Sequence, residues 1–252
     1  MSEPPAYSVA QEFGPAPKSQ FQTGRHYLLY ASEGTMRLEA KGRTWTLPPA
    51  RAALITAGEP IDVTLPVRIT CRSVLYAVDF VDPPEQVLSV FDVSPLAREL
   101  ILEVAQWGPD DASLSGYARE LFKTLATVAW RLSLSPSNLY MPAGRSDAVK
   151  KVLALTEESL GKTLEFDHLA DVVALSPRSL ARRISSELGM NWRQALQRLR
   201  VMKAVEALSL SDLPVTEIAF EQGYQSLSAF NSAFRELTGK TPSEYRASFR
   251  MP

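Results

Sequence analysis

The chain has 252 residues, a length for one or two domains, and its 45% hydrophobic and 22% charged content excludes wholesale disorder. Lys and Arg number 27 against 28 Asp and Glu, a net charge of -1, which excludes a chain basic from end to end yet leaves room for one basic face. One cysteine, Cys71, and two histidines, His26 and His168, exclude an internal disulfide and a Cys-rich zinc site and leave little for a His-rich metal centre.

Residues 1–20 hold Pro4, Pro5, Pro15 and Pro17 and read as a flexible arm. They lack a positive segment followed by an apolar core, so no signal peptide is expected. From Arg25 to about Phe80, short runs such as His26–Tyr30, Thr35–Glu39, Ala52–Ile55 and Val74–Val78 alternate with turn signals at Glu33-Gly34, Lys41-Gly42, Pro48-Pro49 and Gly58-Glu59-Pro60. That spacing predicts an antiparallel sandwich or barrel. After Pro83-Pro84 and Pro95 the apolar period lengthens. Leu96, Leu100 and Val104, then Leu121, Leu125, Val128 and Leu132, predict two amphipathic helices over roughly 95–106 and 114–132. Their stripes suit either a dimer interface or packing on the sheet of the same chain. Ser133 to Ser146, rich in Ser, Pro and Asn, reads as a linker, and from Asp147 to Tyr245 the period is helical throughout. No run of about 18 uncharged apolar residues occurs, so no membrane helix is predicted, and the protein is expected in the cytoplasm. The reading is α+β with two domains: a flexible arm at 1–20, a β-rich domain with a helical pair at 21–132, a linker at 133–146 and an all-α domain at 147–252.

The helical part repeats itself. Leu169-Ala170 and Ala174-Leu175 match Ile218-Ala219 and Gly223-Tyr224 at an offset of 49, whereas Ser176, Leu180, Ile184 and Gly189 match Ser226, Phe230, Phe234 and Gly239 at an offset of 50. One extra residue therefore sits in the second turn. In each unit a small residue (Ala170, Ala219) lets a second helix cross closely, a turn follows, and a serine caps the next helix. Pro177 stands at a first helical position, where its missing N–H costs nothing, and Gly189 and Gly239 end the helices. This is the helix-turn-helix plan, whose second helix lies in a DNA major groove. On the face opposite Leu180, Ile184 and Leu188 stand Arg178, Arg182 and Arg183 with Ser179 and Ser186. On an isolated helix such charges would merely be solvated; in a repeated helix-turn-helix frame they point to DNA, because arginine presents a two-pronged donor matching guanine O6/N7 and also pairs with phosphate.

Ile218-Ala219, Gly223-Tyr224, Ser226, Phe230, Ala233-Phe234-Arg235, Gly239, Thr241-Pro242 and Tyr245-Arg246, together with Ser176-Pro177-Arg178-Ser179-Leu180-Ala181-Arg182-Arg183, resemble the AraC/XylS family of bacterial transcription regulators over the last hundred residues. The resemblance implies a seven-helix domain in which two helix-turn-helix units are joined by a helix at about Trp192 to Leu210. It implies base contacts from Arg178, Ser179 and Arg182 in the first unit and from Gln225, Leu227, Ser228, Asn231 and Ser232 in the second. Arg183, Thr216, Ser226, Lys240 and Arg246 become expected phosphate contacts. Ser232 stands where the family often has a longer polar or basic residue. Ala174 stands where it usually has glycine, which implies a strained or differently bent first turn. His168 is expected at the surface.

The β-rich region resembles the cupin-type sensor domain of the family through Leu29-Tyr30-Ala31-Ser32-Glu33-Gly34, Pro48-Pro49-Ala50-Arg51-Ala52 and Ile55-Thr56-Ala57-Gly58. Ala50, Leu54 and Ile61 depart from its usual glycine, tryptophan and histidine. The resemblance thus implies a cupin-like β-barrel with a helical pair, followed by the all-α DNA-binding domain. With His26 alone, the three histidines and one glutamate of a metal-dependent cupin enzyme cannot be assembled, and no metal or cofactor is expected. The missing cysteines exclude a repair methyltransferase. No histidine is placed for a Ser/His/Asp triad, and no phosphate-binding Gly-rich loop or H-E-x-x-H helix occurs; no enzymatic activity is expected. Tyr27, Tyr30, Arg37, Trp45, Arg72 and Tyr76 are the candidates to line an effector pocket, where a buried arginine would favour an anion. The expected protein binds double-stranded DNA as a homodimer, contacts RNA polymerase and answers to a small molecule. The alternative is control by a protein partner or by abundance.

Overall fold

The computed structural model describes residues 3–111, 113–162 and 164–248. The chain divides into two compact units, one formed by residues up to Ala40 with Thr46–Ser137, the other by Lys41–Trp45 with the residues from Asn138 onward.

The first unit is built on antiparallel strands. One sheet runs in the order β1 (Ala6–Phe13), β8 (Ile69–Tyr76), β3 (His26–Glu33), β6 (Arg51–Ile55), β9 (Leu88–Asp92). Beside it, β2 (Ala16–Phe21), β7 (Ile61–Leu65) and β4 (Met36–Ala40) pair in that order. The stretch 1–20, expected to be an arm, thus contains two strands. Its prolines leave enough donors for β1 to pair with β8 over eight residues, from Ala6 opposite Tyr76 to Phe13 opposite Ile69.

The first sheet is apolar on both faces. On the outer face Leu28, Tyr30, Leu54, Val74, Tyr76 and Phe91 pack against two helices, α1 (Pro95–Val104) and α2 (Gly116–Ser133). The helices present Ile101, Val104, Ala118, Phe122 and Leu125 to the sheet, so their buried stripes are used within the chain. Ser94 and Ser115 cap them through their side-chain oxygens, and Pro95 takes a first-turn position. Because strand residues alternate, Tyr27, Leu29, Cys71 and Leu75 point to the other face, toward the second sheet.

In the second unit, Asn138–Pro142 is ordered. β10 (Met141–Pro142) pairs with the start of β5 (Arg43–Leu47), Met141 opposite Thr44 and Pro142 opposite Arg43. Seven helices follow among the described residues: α3 (Asp147–Glu158), α4 (Phe166–Val172), α5 (Pro177–Leu188), α6 (Trp192–Leu210), α7 (Val215–Glu221), α8 (Leu227–Thr238) and α9 (Pro242–Ala247). The long α6 forms the spine, with Ala195, Leu199, Met202, Val205 and Leu208 buried. Its N-terminus carries a reciprocal capping box between Asn191 and Gln194. Arg198 donates to the carbonyls of Asn138 (2.5 Å) and Tyr140 (3.0 Å) and lies over the Tyr140 ring, fastening the strand segment to the spine.

Candidate nucleic-acid interface

The two repeats fold alike. In the first, α4 ends in a turn where the Leu175 N–H donates to the Ala170 carbonyl at 3.0 Å; in the second, α7 ends in a turn where the Tyr224 N–H donates to the Ala219 carbonyl at 3.1 Å. Ala174 and Gly223 occupy the same left-handed conformation, with φ of 53° and 81°. The departure at Ala174 therefore keeps the turn and adds the strain of a Cβ. Ser176 and Ser226 then cap α5 and α8 by accepting from the N–H groups of Ser179 and Ala229. Gly189 and Gly239 close both helices in the left-handed region.

α5 buries Leu180, Ile184 and Leu188. Arg178, Arg182 and Arg183 all lie exposed on its surface. Arg178 and Arg182 are one turn apart on one face. Ser179 is half-buried, its hydroxyl accepting from that of Ser176 at 3.0 Å. α8 buries Phe230, Ala233 and Phe234 and exposes Ser228 and Ser232, with Asn231 and Leu227 half-buried and Gln225 and Ser226 exposed just before it. The first unit presents guanidinium groups and the second presents hydroxyls and two amides, Gln225 and Asn231, so the two faces offer different chemistry.

The remaining candidates are spread around this frame. Thr216 is exposed at the second residue of α7. Lys240 is half-buried, 5.9 Å from the Tyr245 ring. Arg246 donates to the Leu213 carbonyl at 2.7 Å and ties α9 to the loop before α7. His168 is exposed on α4.

The positioning roles of two residues, Glu187 and Arg200, escape a reading by sequence pattern. Glu187, at the end of α5, accepts from the N–H of Arg145 (2.7 Å), the N–H of Ser146 (2.9 Å) and the Ser146 hydroxyl (2.6 Å). It binds the recognition helix to the start of α3. Arg200 donates to the Leu160 carbonyl and lies 5.6 Å from the Tyr224 ring. Burial pushes the Tyr224 hydroxyl up to about 12, and burial also lowers Arg200. Gly223 leaves the room this arrangement needs, since a Cβ there would lie 2.4 Å from the Leu160 carbonyl oxygen and 2.6 Å from the Arg200 guanidinium. That glycine was the sequence signal for a close approach; nothing in the pattern named its neighbours.

The six pocket candidates are placed apart. Tyr27 lines a cavity of about 450 Å³ in the first unit. Tyr30 and Tyr76 lie on the opposite face of the sheet, among the helices. The Tyr30 hydroxyl donates to the Pro49 carbonyl, and the Tyr76 ring meets Phe122 and Trp130 edge-on. Arg72 alternates with the cavity-lining Cys71 and the buried Ser73, and Arg37 with buried Met36 and Leu38, so both arginines sit on outer faces. Trp45 packs on Tyr140 in the second unit.

A helix-turn-helix domain model matches residues 169–248. The HTH-type transcriptional regulator NimR of Escherichia coli K12 is 26% identical over 238 residues, covering 92% of this chain and 82% of NimR. The transcriptional activator RhaS of Escherichia coli O6:H1 is 28% identical over 156 residues, 62% of this chain; the chain spans 55% of RhaS. Among solved structures, the C-terminal domain of AraT, a response regulator from Geobacillus stearothermophilus, is 31% identical, covers 42% of this chain and 88% of that one, and overlaps it with a TM-score of 0.39. The helix-turn-helix domain that it shares with these regulators makes the chain a DNA-binding transcription regulator rather than an enzyme. Among the described residues no helix is long and apolar enough to cross a membrane.

Proposed function

We propose that this regulator reads double-stranded DNA with α5 and α8 in neighbouring major grooves, Arg178 and Arg182 contacting base edges and Ser228 and Asn231 contributing from the second helix. The carrying observation is the pair of equivalent turn–cap–helix units, one of which bears arginines one turn apart on an exposed face. Ser179, Gln225, Leu227 and Ser232 complete the base-facing set. Arg183, Thr216, Ser226 and Lys240 serve the phosphates, while Arg246 acts through α9 as much as through DNA. The regulator acts in the cytoplasm as a homodimer, with Leu96 and Tyr117 exposed on the helical pair as a starting surface, and passes its signal to RNA polymerase. A small molecule in the first unit biases the DNA-bound state, which requires different affinities for the two states; the cavity supports control by a ligand over control by abundance.

Selection of bound sequences from a random DNA pool with the full chain, followed by gel shifts, tests the reading. Arg182→Ala is expected to cost about 1–3 kcal/mol on the selected site, roughly 5- to 150-fold, and to relax preference at one or two base pairs. Unchanged affinity and preference would remove Arg182 from the base-reading set.

A further inference from the structure

We infer that the cavity between the two sheets takes an uncharged, predominantly apolar small molecule. The inference rests on the reading that the first unit senses a ligand, and it names that ligand's chemistry. The outer face of the main sheet is covered by α1 and α2, so the cavity is walled by the opposite face. Tyr27 and Leu29 of β3 and Cys71 and Leu75 of β8 form one wall, and Met36, Val63 and Leu65 form the other. Among the described residues no charged side chain lines it. An anionic ligand would lose its hydration there with no cation in return. A sugar would bring several hydroxyls to walls whose polar groups are few, namely Ser19, Cys71 and two tyrosines. Burial raises the Tyr27 hydroxyl above its ordinary range, so it stays neutral and adds no charge.

Size and access fit the same class. A volume of about 450 Å³ lies within the range of small-molecule sites, and at liquid-like packing it holds a ligand of roughly 15 non-hydrogen atoms. Phe13 and Phe21, 36% and 40% exposed, flank the rim where β1 runs into β2, and the Phe21 ring lies 5.2 Å from Tyr27. Apolar walls facing a space of this size forgo dispersion contacts that an apolar ligand restores.

A matched pair of probes tests the inference on the full chain: biphenyl-4-methanol and biphenyl-4-carboxylate, nearly the same shape, one neutral and one anionic. Calorimetric titration is expected to show the alcohol binding at least tenfold more tightly. Because Cys71 is the one cysteine in the chain and lines the cavity, the alcohol is also expected to slow its alkylation by N-ethylmaleimide severalfold, read by intact mass. Val63→Phe, at a half-buried wall position, is expected to weaken the alcohol at least tenfold while the circular dichroism spectrum is retained. Carboxylate binding equal to or tighter than the alcohol, no alcohol binding up to its solubility, or no protection of Cys71 would each overturn the inference. If the alcohol binds and protects Cys71 yet leaves affinity for the selected DNA unchanged, the ligand class stands and the sensing role falls.

Discussion

Ala174 and Gly223 make one conformational demand of two different residues. Both hold positive φ in equivalent turns, which costs a residue with a Cβ about 1–2 kcal/mol and glycine almost nothing. Ala174 is exposed, so its Cβ is tolerated at the price of strain alone. Ala174→Gly is expected to stabilise the second unit by about 0.5–1 kcal/mol, the relief being partly offset by greater freedom of the unfolded chain. Gly223→Ala adds a clash with backbone and with Arg200 and is expected to cost about 3 kcal/mol or more. Urea denaturation followed by helical ellipticity measures both. His26 sets a pH dependence. It is 3% exposed, and its Nδ1 accepts from the Ala57 N–H at 3.2 Å, which only the neutral ring can do. Burial lowers its pKa in the folded protein. The unfolded chain therefore takes up a proton first as pH falls below about 6.5, so stability is full above that value and declines toward the folded pKa. With His168 exposed as the one other histidine in the chain, His26→Gln is expected to flatten the melting temperature between pH 7 and 5, which thermal scans across that range will show.

At the scale of elements, α5 works at both ends. Its start offers arginines, and its end carries Glu187, which accepts three hydrogen bonds from the start of α3. Without it, two backbone N–H groups there would be left to water. Glu187→Ala is expected to destabilise the second unit by about 1–2 kcal/mol and to weaken DNA binding without altering base preference, since no base-reading group changes; gel shifts on the selected site and on single-base variants separate the two effects. The helices of this unit were legible in the sequence down to the Trp192–Leu210 spine, because caps, terminal glycines and a four-residue stripe all agree. The β unit was legible only as a sequence of short strands. Tyr30 and Tyr76 were expected in a pocket and pack against helices instead. A strand buried on both faces has apolar residues at every position, so alternation cannot say which side is which. The strands of residues 6–21 were hidden because their prolines read as punctuation, and Glu187 because a long-range acceptor leaves no local pattern.

For the whole molecule, the even balance of charge has a use. Residues 1–144 carry 12 basic and 15 acidic side chains, and residues 145–252 carry 15 and 13. The DNA-binding half is only slightly basic, which limits sequence-independent attraction to phosphate; under the proposed function, discrimination falls to a few placed groups such as those on α5. The pairing of β1 with β8 has a consequence of another kind. β1 is the outermost strand of its sheet, and without it the unpaired amides and carbonyls of β8, a strand with five apolar or aromatic residues among its eight, would face solvent as a template for a neighbouring chain. A chain lacking residues 1–15 is expected to form soluble aggregates and then fibrillar or amorphous precipitate where the intact protein stays dispersed, a difference static light scattering at matched concentration will register. The proline-spaced leader that reads as an ornament of the sequence is, on this account, the protein's guard against adding copies of itself edge to edge.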